Sequence, residues 1–249
     1  MSHDVEMSIW GHLDELRQRL VRAAIALAIG TAISVVFTQR ALQVLILPLG
    51  NAIPQTIKPT ESFIVYFRIA MIGGVMLAMP VILYEILMFA LPGMLPHEKK
   101  YLYFLLPGAT ISFAAGLAFA ALIMLPAAIT FMQSFLNQII ENRWTLENYI
   151  SFVTRVMFWM GIVFQTPLLI FFLAKLNVIS AKQLARYRKY AILVISIIAA
   201  LVTPTPDPIN MMIVMVPLYL LYEVGIILAR FARRSEPTTP NDSTAQAPA

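Results

Sequence analysis

Six long apolar runs, each bounded by charged residues, prolines or glycines, constrain this chain more than any other feature. A backbone inside hydrocarbon must satisfy its own hydrogen bonds, which leaves helices or closed barrels as spanning structures. A spanning helix needs roughly 17–25 apolar residues, about twice the length of a spanning strand. Runs of this length therefore predict an all-α, polytopic membrane protein. The composition agrees: 59% of residues are hydrophobic and only 12% charged, against about 25% charged in a soluble domain.

The predicted spans cover residues 20–37, 67–91, 101–135, 152–174, 190–202 and 209–229. The second stops at Pro92-Gly93, a strong helix terminator. The third is longer than a bilayer requires, so it tilts, bends or projects, with Pro107 and Pro126 as bend points. The fifth has so few apolar residues that it reaches only roughly 20 Å into a core of about 30 Å. Local bilayer thinning, shelter by other helices or a re-entrant path would accommodate it. Pro80, Pro167 and Pro217 also fall within spans and shape concave helix walls.

Thirteen of the eighteen Lys and Arg residues flank one side of these spans. The positive-inside rule then predicts that both termini are cytosolic. The segments 39–62 and 136–150 are external, ordered caps, with Trp144, Tyr149 and Trp159 suited to the outer interface. Residues 1–234 form one six-helix domain opened by an amphipathic segment at 8–20, and the Pro/Thr/Ser-rich tail 235–249 is expected to be disordered. The opening residues lack the pattern of a cleavable signal. The net charge of +5 is spread around apolar spans, which argues against a nucleic-acid partner. There is no cysteine, so disulfides and thiolate metal sites are excluded. His3, His12 and His97 lack ligand spacing, and no metal or cofactor is expected. No nucleophile elbow, zinc-protease or phosphate-loop motif occurs, so no enzymatic activity is expected.

Residues 12–20 carry the most informative polar pattern. Leu13, Leu16 and Leu20 recur at helical spacing and can face an apolar surface. Glu15 and Arg19 lie four apart with the acid first, the favourable order for a helix pair. Glu15 and Glu98 both fall at the basic cytosolic edge. Two carboxylates there make a receptor for a guanidinium, whose fork a carboxylate accepts in a bidentate manner and lysine does not reproduce. Asp14 is a solvated neighbour. Phe89 and Leu91 end the second span, where they can face a peptide or lipid. Gln165, near the middle of the fourth span, is either a helix–helix hydrogen bond or a polar spot used in transport. Glu85 and Glu223 each lie about two turns from a span end, as interface anchors. Asp207 is placed to cap the last helix.

Several motifs together resemble the TatC family, the receptor subunit of the twin-arginine protein translocase. They are His12-Leu-x-Glu-Leu-Arg-x-Arg-Leu20, Pro80-Val-Ile-Leu-Tyr84, Phe89-x-x-Pro92, His97-Glu98, Thr203-Pro204 with Asp207, and Pro217 followed by Glu223-x-Gly225. The resemblance spans roughly residues 8–230. It implies a kinked, glove-like bundle of six spans in the bacterial cytoplasmic membrane with both termini cytosolic. It implies that Glu15 and Glu98, with Arg17 and Phe89 nearby, bind twin-arginine signal peptides of folded cargo. It further implies a cap role for Pro48, and a fifth and sixth helix that dock single-span TatA- and TatB-type partners in an oligomeric receptor complex. The chain departs from the family at Gln165, often a glutamate, and at Glu85, frequently a glutamine. The expected function is a non-enzymatic receptor and assembly platform. The alternative is a secondary transporter of a small solute, resting on Gln165.

Overall fold

The computed structural model describes residues 9–50, 54–90, 100–134, 144–176, 178–203 and 208–232. Among these the regular structure is helical, apart from one isolated bridge pairing Gln55 with Thr145. Helix α1 spans Ile9–Ile46 and ends in a 3-10 turn over Leu47–Leu49. It is followed by α2 (Glu61–Ala90) and α3 (Lys100–Phe119). A π-helical turn over Ala120–Met124 leads into α4 (Leu125–Ser134). Then come α5 (Leu146–Val163), α6 (Thr166–Lys175), the short α7 (Ala181–Arg186), α8 (Arg188–Val202) and α9 (Pro208–Ala232).

The first span is longer than expected. The amphipathic segment and the apolar run form one helix of 38 residues, about 57 Å at roughly 1.5 Å per residue. Nothing between Arg17 and Ala28 breaks helical geometry, and the sequence there is rich in Ala, Leu and Arg. The second span likewise starts earlier, at Glu61. Its buried carboxylate accepts from the backbone N–H groups of Ile57 and Lys58, both at 3.2 Å, ordering the approach to the helix.

Two prolines reshape the long spans. Pro126 has no N–H, and in a regular helix its ring would strike the carbonyl of Leu122. The chain widens into the π turn just before it, where the Leu125 N–H reaches the Ala120 carbonyl. The fourth span is two helices, not one. Phe164 and Gln165 form a turn, and Pro167 sits in the first turn of α6, where a missing N–H costs nothing. The Val163 carbonyl, which Pro167 would otherwise leave unpaired, accepts from the Thr166 hydroxyl at 2.6 Å.

Five described helical segments are long and apolar enough to cross a membrane: Trp10–Leu49, Glu61–Phe89, Leu106–Ser134, Leu146–Lys175 and Met211–Ala232. The 15 residues of α8 extend only about 22 Å, shorter than a bilayer core and in keeping with the short fifth segment anticipated. At one end of the bundle, the Gln55 N–H donates to Trp144 and the Leu146 N–H to Gln55. These bonds tie the two expected cap segments together. Tyr149, expected at the outer interface, is instead fully buried, and its hydroxyl donates to the Leu45 carbonyl at 2.7 Å. At the opposite end, Leu87 and Met88 of α2 pack on Phe172 of α6, and Ala229 and Ala232 of α9 pack on Ala174.

Small residues set the helix spacing. With lipid as apolar as the side chains, close backbone approach replaces hydrophobic drive. A Cβ on Gly30 of α1 would lie 2.6 Å from the Gly74 carbonyl oxygen of α2. A Cβ on Gly74 would lie 2.7 Å from both N and Cα of Thr31. We expect Gly74→Val to wedge α1 from α2 and lower stability in detergent by about 1–3 kcal/mol, as overpacking does. Gly108→Ala, whose new carbon would sit 3.6 Å from Leu168, should be neutral or slightly stabilising. Thermal unfolding of the two variants checks the contrast.

Candidate functional site: a guanidinium between two carboxylates

The first turns of α1 present two stripes. Leu13, Leu16 and Leu20 point outward, each at least 41% exposed. The stripe that faces α2 is polar: His12, Glu15, Arg19 and Arg22, at intervals of three and four residues. It continues down the helix as Gly30, Ser34 and Thr38, all buried. The antiparallel packing at Gly30 and Gly74 thus carries the start of α1 to the end of α2.

There the Arg19 guanidinium joins two acids. Its Nε donates to Glu15 Oε1 at 3.0 Å, and Nη2 contacts the same oxygen. Its Nη1 donates to Glu85 Oε2 at 3.1 Å. Arg22 Nη1 stands 3.9 Å from the other Glu85 oxygen. The Glu85 side chain is 8% exposed and that of Arg19 14%, whereas Arg22 is 60% exposed. Arg19 is therefore the guanidinium that compensates Glu85. One turn beyond, His12 stacks on Phe89 with ring centres 4.6 Å apart and planes 21° from parallel.

The structure brings together Glu15, Glu85 and Phe89 of the predicted residues. Glu85 is not an interface anchor but a buried acid held by Arg19. Half of the signal was in the sequence: an acid six residues before the end of the predicted apolar run 67–91 needs a cation, but which cation is set only by the packing of α1 on α2. Arg17 is exposed on α1, beside the clamp in sequence and off its packed face. Pro48 lies at the far end, in the 3-10 turn closed by the Gly50 N–H on the Leu47 carbonyl. Glu98 and Asp207 lie outside the described residues, as do Leu91 and the tail 235–249.

Gln165 sits in the turn between α5 and α6. Its Nε2 donates to the Ala109 carbonyl of α3 at 2.9 Å, while its Oε1 is buried without a partner among the described residues. The structural role anticipated for it, a helix–helix hydrogen bond, is present. Glu223 is also paired within the bundle: Arg188 Nε and Nη2 donate to its two oxygens at 2.7 and 2.8 Å. Sequence reasoning missed this fork because the partners are 35 residues apart and on different helices.

Removing one member of the clamp leaves a buried charge behind. Arg19→Gln is expected to lower stability by about 1.5–3 kcal/mol, the worth of a charged hydrogen bond. Because the two groups share one interaction, Arg19→Gln with Glu85→Gln should cost less than the sum of the singles, by about 1 kcal/mol or more. A double-mutant cycle of denaturant unfolding in detergent measures the coupling, and strict additivity would contradict the clamp.

Comparison with known proteins agrees with this architecture. The family model described as Sec-independent protein translocase protein (TatC) matches residues 11–217. A Sec-independent protein translocase protein TatC of Carboxydothermus hydrogenoformans is 37% identical over 235 residues, covering 94% of this chain and 97% of that protein. Its counterpart in Aquifex aeolicus is 34% identical, covering 92% and 98%. A crystal structure of the twin arginine translocase receptor TatC superposes with a TM-score of 0.77 at 34% identity, covering 90% of this chain and all of that one. The apolar helices, the small-residue packing and these matches lead to one conclusion: the chain is a membrane protein of the TatC family of Sec-independent protein translocase proteins.

Proposed function

We propose that this chain is the receptor of a twin-arginine translocase, binding signal peptides of folded cargo at the cytosolic face of a bacterial cytoplasmic membrane. Glu15 and Glu98 accept the peptide guanidiniums, with Arg17 and Phe89 at the edges of the surface. The α8–α9 hairpin docks single-span TatA- and TatB-type partners. Both termini are cytosolic. Support comes chiefly from the way Glu15 is held. Both contacts from Arg19 fall on Oε1, so the carboxylate is fixed in orientation while Oε2 meets no donor among the described residues. Its side chain is 22% exposed, enough for a ligand to reach and dry enough to strengthen a charged bond. Solute transport is not favoured, because the amide on which it would rest is bound to α3 through Nε2.

Glu15→Ala is expected to weaken binding of an Arg-Arg signal peptide by about 10–100-fold, the equivalent of one partly desolvated charged hydrogen bond. Glu98→Ala should behave alike. Both should narrow the advantage over a Lys-Lys peptide, since lysine lacks the planar set of donors by which one guanidinium can reach two acceptors, and Asp14→Ala should leave binding unchanged. Affinity measurements on both peptides decide; equal binding by all variants sinks the two-carboxylate surface.

Because the natural chain has no cysteine, single cysteines report topology cleanly. A membrane-impermeant thiol reagent added to cells should modify Lys58→Cys and spare Asp14→Cys until the membrane is opened. The reverse pattern would invert the orientation.

A further inference from the structure

At the end of the bundle opposite the Arg19 clamp, α2 and α5 border an open recess of about 340 Å³ lined by Arg68, Ile72, Ser151, Thr154, Arg155 and Phe158, its surface mostly apolar with the two guanidiniums at it. Its α5 members 151, 154, 155 and 158 share one helical face, at intervals of three and four, with Glu147 one turn before them. Arg68 donates to the Ser151 hydroxyl and stands 3.9 Å from Glu147. Arg155 is exposed and meets no acid among the described residues. The recess thus holds two guanidiniums against one distant carboxylate. The Thr154 hydroxyl is committed to the Ile150 carbonyl at 2.6 Å.

Depth bears on which anion these arginines meet. Helix α2 has 30 residues, about 45 Å, which matches a bilayer with its headgroups at about 40–45 Å. Arg68 lies seven residues from its start, about 10 Å along the axis, and Arg155 nine residues from the start of α5, about 14 Å. Both levels fall inside the candidate spans, near the boundary between headgroups and acyl chains. An unpaired cation there is costly, and long arginine side chains reach outward toward the headgroups. The abundant anion at that level is the lipid phosphate, whose oxygens suit a guanidinium fork. Phe158 lines the recess and Trp159 beside it is 45% exposed, giving acyl chains and glycerol an apolar wall.

We propose that Arg68 and Arg155 bind the phosphodiester of a membrane phospholipid, seated between α2 and α5 with its acyl chains along the Phe158–Trp159 surface. The full chain is reconstituted in vesicles of phosphatidylglycerol and phosphatidylcholine, extracted in mild detergent, and its retained lipid counted by native mass spectrometry. Wild type should retain phosphatidylglycerol, and Arg155→Gln or Arg68→Gln should lower retention by about tenfold, the loss of one charged hydrogen-bonded contact. Arg155→Lys, which keeps the charge without the fork, should retain an intermediate amount and confirms that the fold tolerates change here. Arg40→Gln, an exposed arginine near the same end, should retain the wild-type amount. Equal retention by Arg155→Gln and wild type would overturn the site. So would an equal loss in Arg40→Gln, which would mark general charge attraction. Displacement of the lipid by millimolar inorganic phosphate would assign the recess to a free anion, and co-purification of an acidic peptide in place of lipid would assign it to a protein partner. Either result overturns the lipid assignment.

Discussion

The contact of α1 with α2 through Gly30 and Gly74 is the constraint on which the functional end of the molecule depends. Two helix backbones approach closely there, with only the small side chain of Thr31 packed against Gly74. Such contact fixes both distance and register, because a one-residue slide would bring Val75 into the space that Gly74 leaves for the α1 backbone. Register then decides which side chains meet further along. Sixteen Å or so toward the end of α2, a scale set by the helix rise, it puts Arg19 beside Glu85 and His12 on Phe89. A looser, leucine-mediated packing would leave the guanidinium free to rotate between water and acid.

Charge in this protein is handled by pairing across helices. Arg19 with Glu85 and Arg188 with Glu223 each join an acid on one helix to an arginine on its antiparallel neighbour. A carboxylate is too short to reach far toward the headgroups, so an acid placed inside a span needs a partner brought to it. Arginine serves because its stem lies along the helix while its planar head presents several donors. Glu15 extends this logic outward. It is the more accessible of two acids that share Arg19, the other being buried, so its position is inherited from the packing of α1 on α2.

The spans were legible because their signal is local: apolar residues in sequence predict a helix without knowledge of its neighbours. The shortness of α8 was legible for the same reason. Three features were not. The length of α1 was hidden because its polar first turns read as a separate amphipathic segment, although helix propensity never lapses there. The break at Phe164–Gln165 was hidden because Pro167 alone signals a kink, whereas the turn also depends on Thr166 capping the Val163 carbonyl and Gln165 reaching Ala109. Tyr149 was misplaced at the interface because aromatic position in sequence does not reveal that the Leu45 carbonyl waits for its hydroxyl. In the candidate site, Glu15, its helix partner Arg19 and Phe89 were visible at an edge, but the reach of Arg19 to Glu85 and of His12 to Phe89 was not, because both depend on how α1 packs on α2.

The clamp also bears on selectivity. A lone carboxylate at a membrane edge attracts any cation, and the surrounding lysines and arginines only weaken that attraction. Glu15 is different because an internal guanidinium already saturates one of its oxygens. A second cation must approach Oε2 from the remaining side, past the Arg19 charge. A compact ammonium gains one bond there against that repulsion. A guanidinium gains one bond to Oε2 and keeps further donors for other acceptors. If Glu15 receives a signal peptide, as proposed, geometry separates arginine from lysine where net charge does not. Arg19, read from sequence as a helix-stabilising partner and a topogenic charge, is by this logic the residue that turns an acidic edge into a directional one.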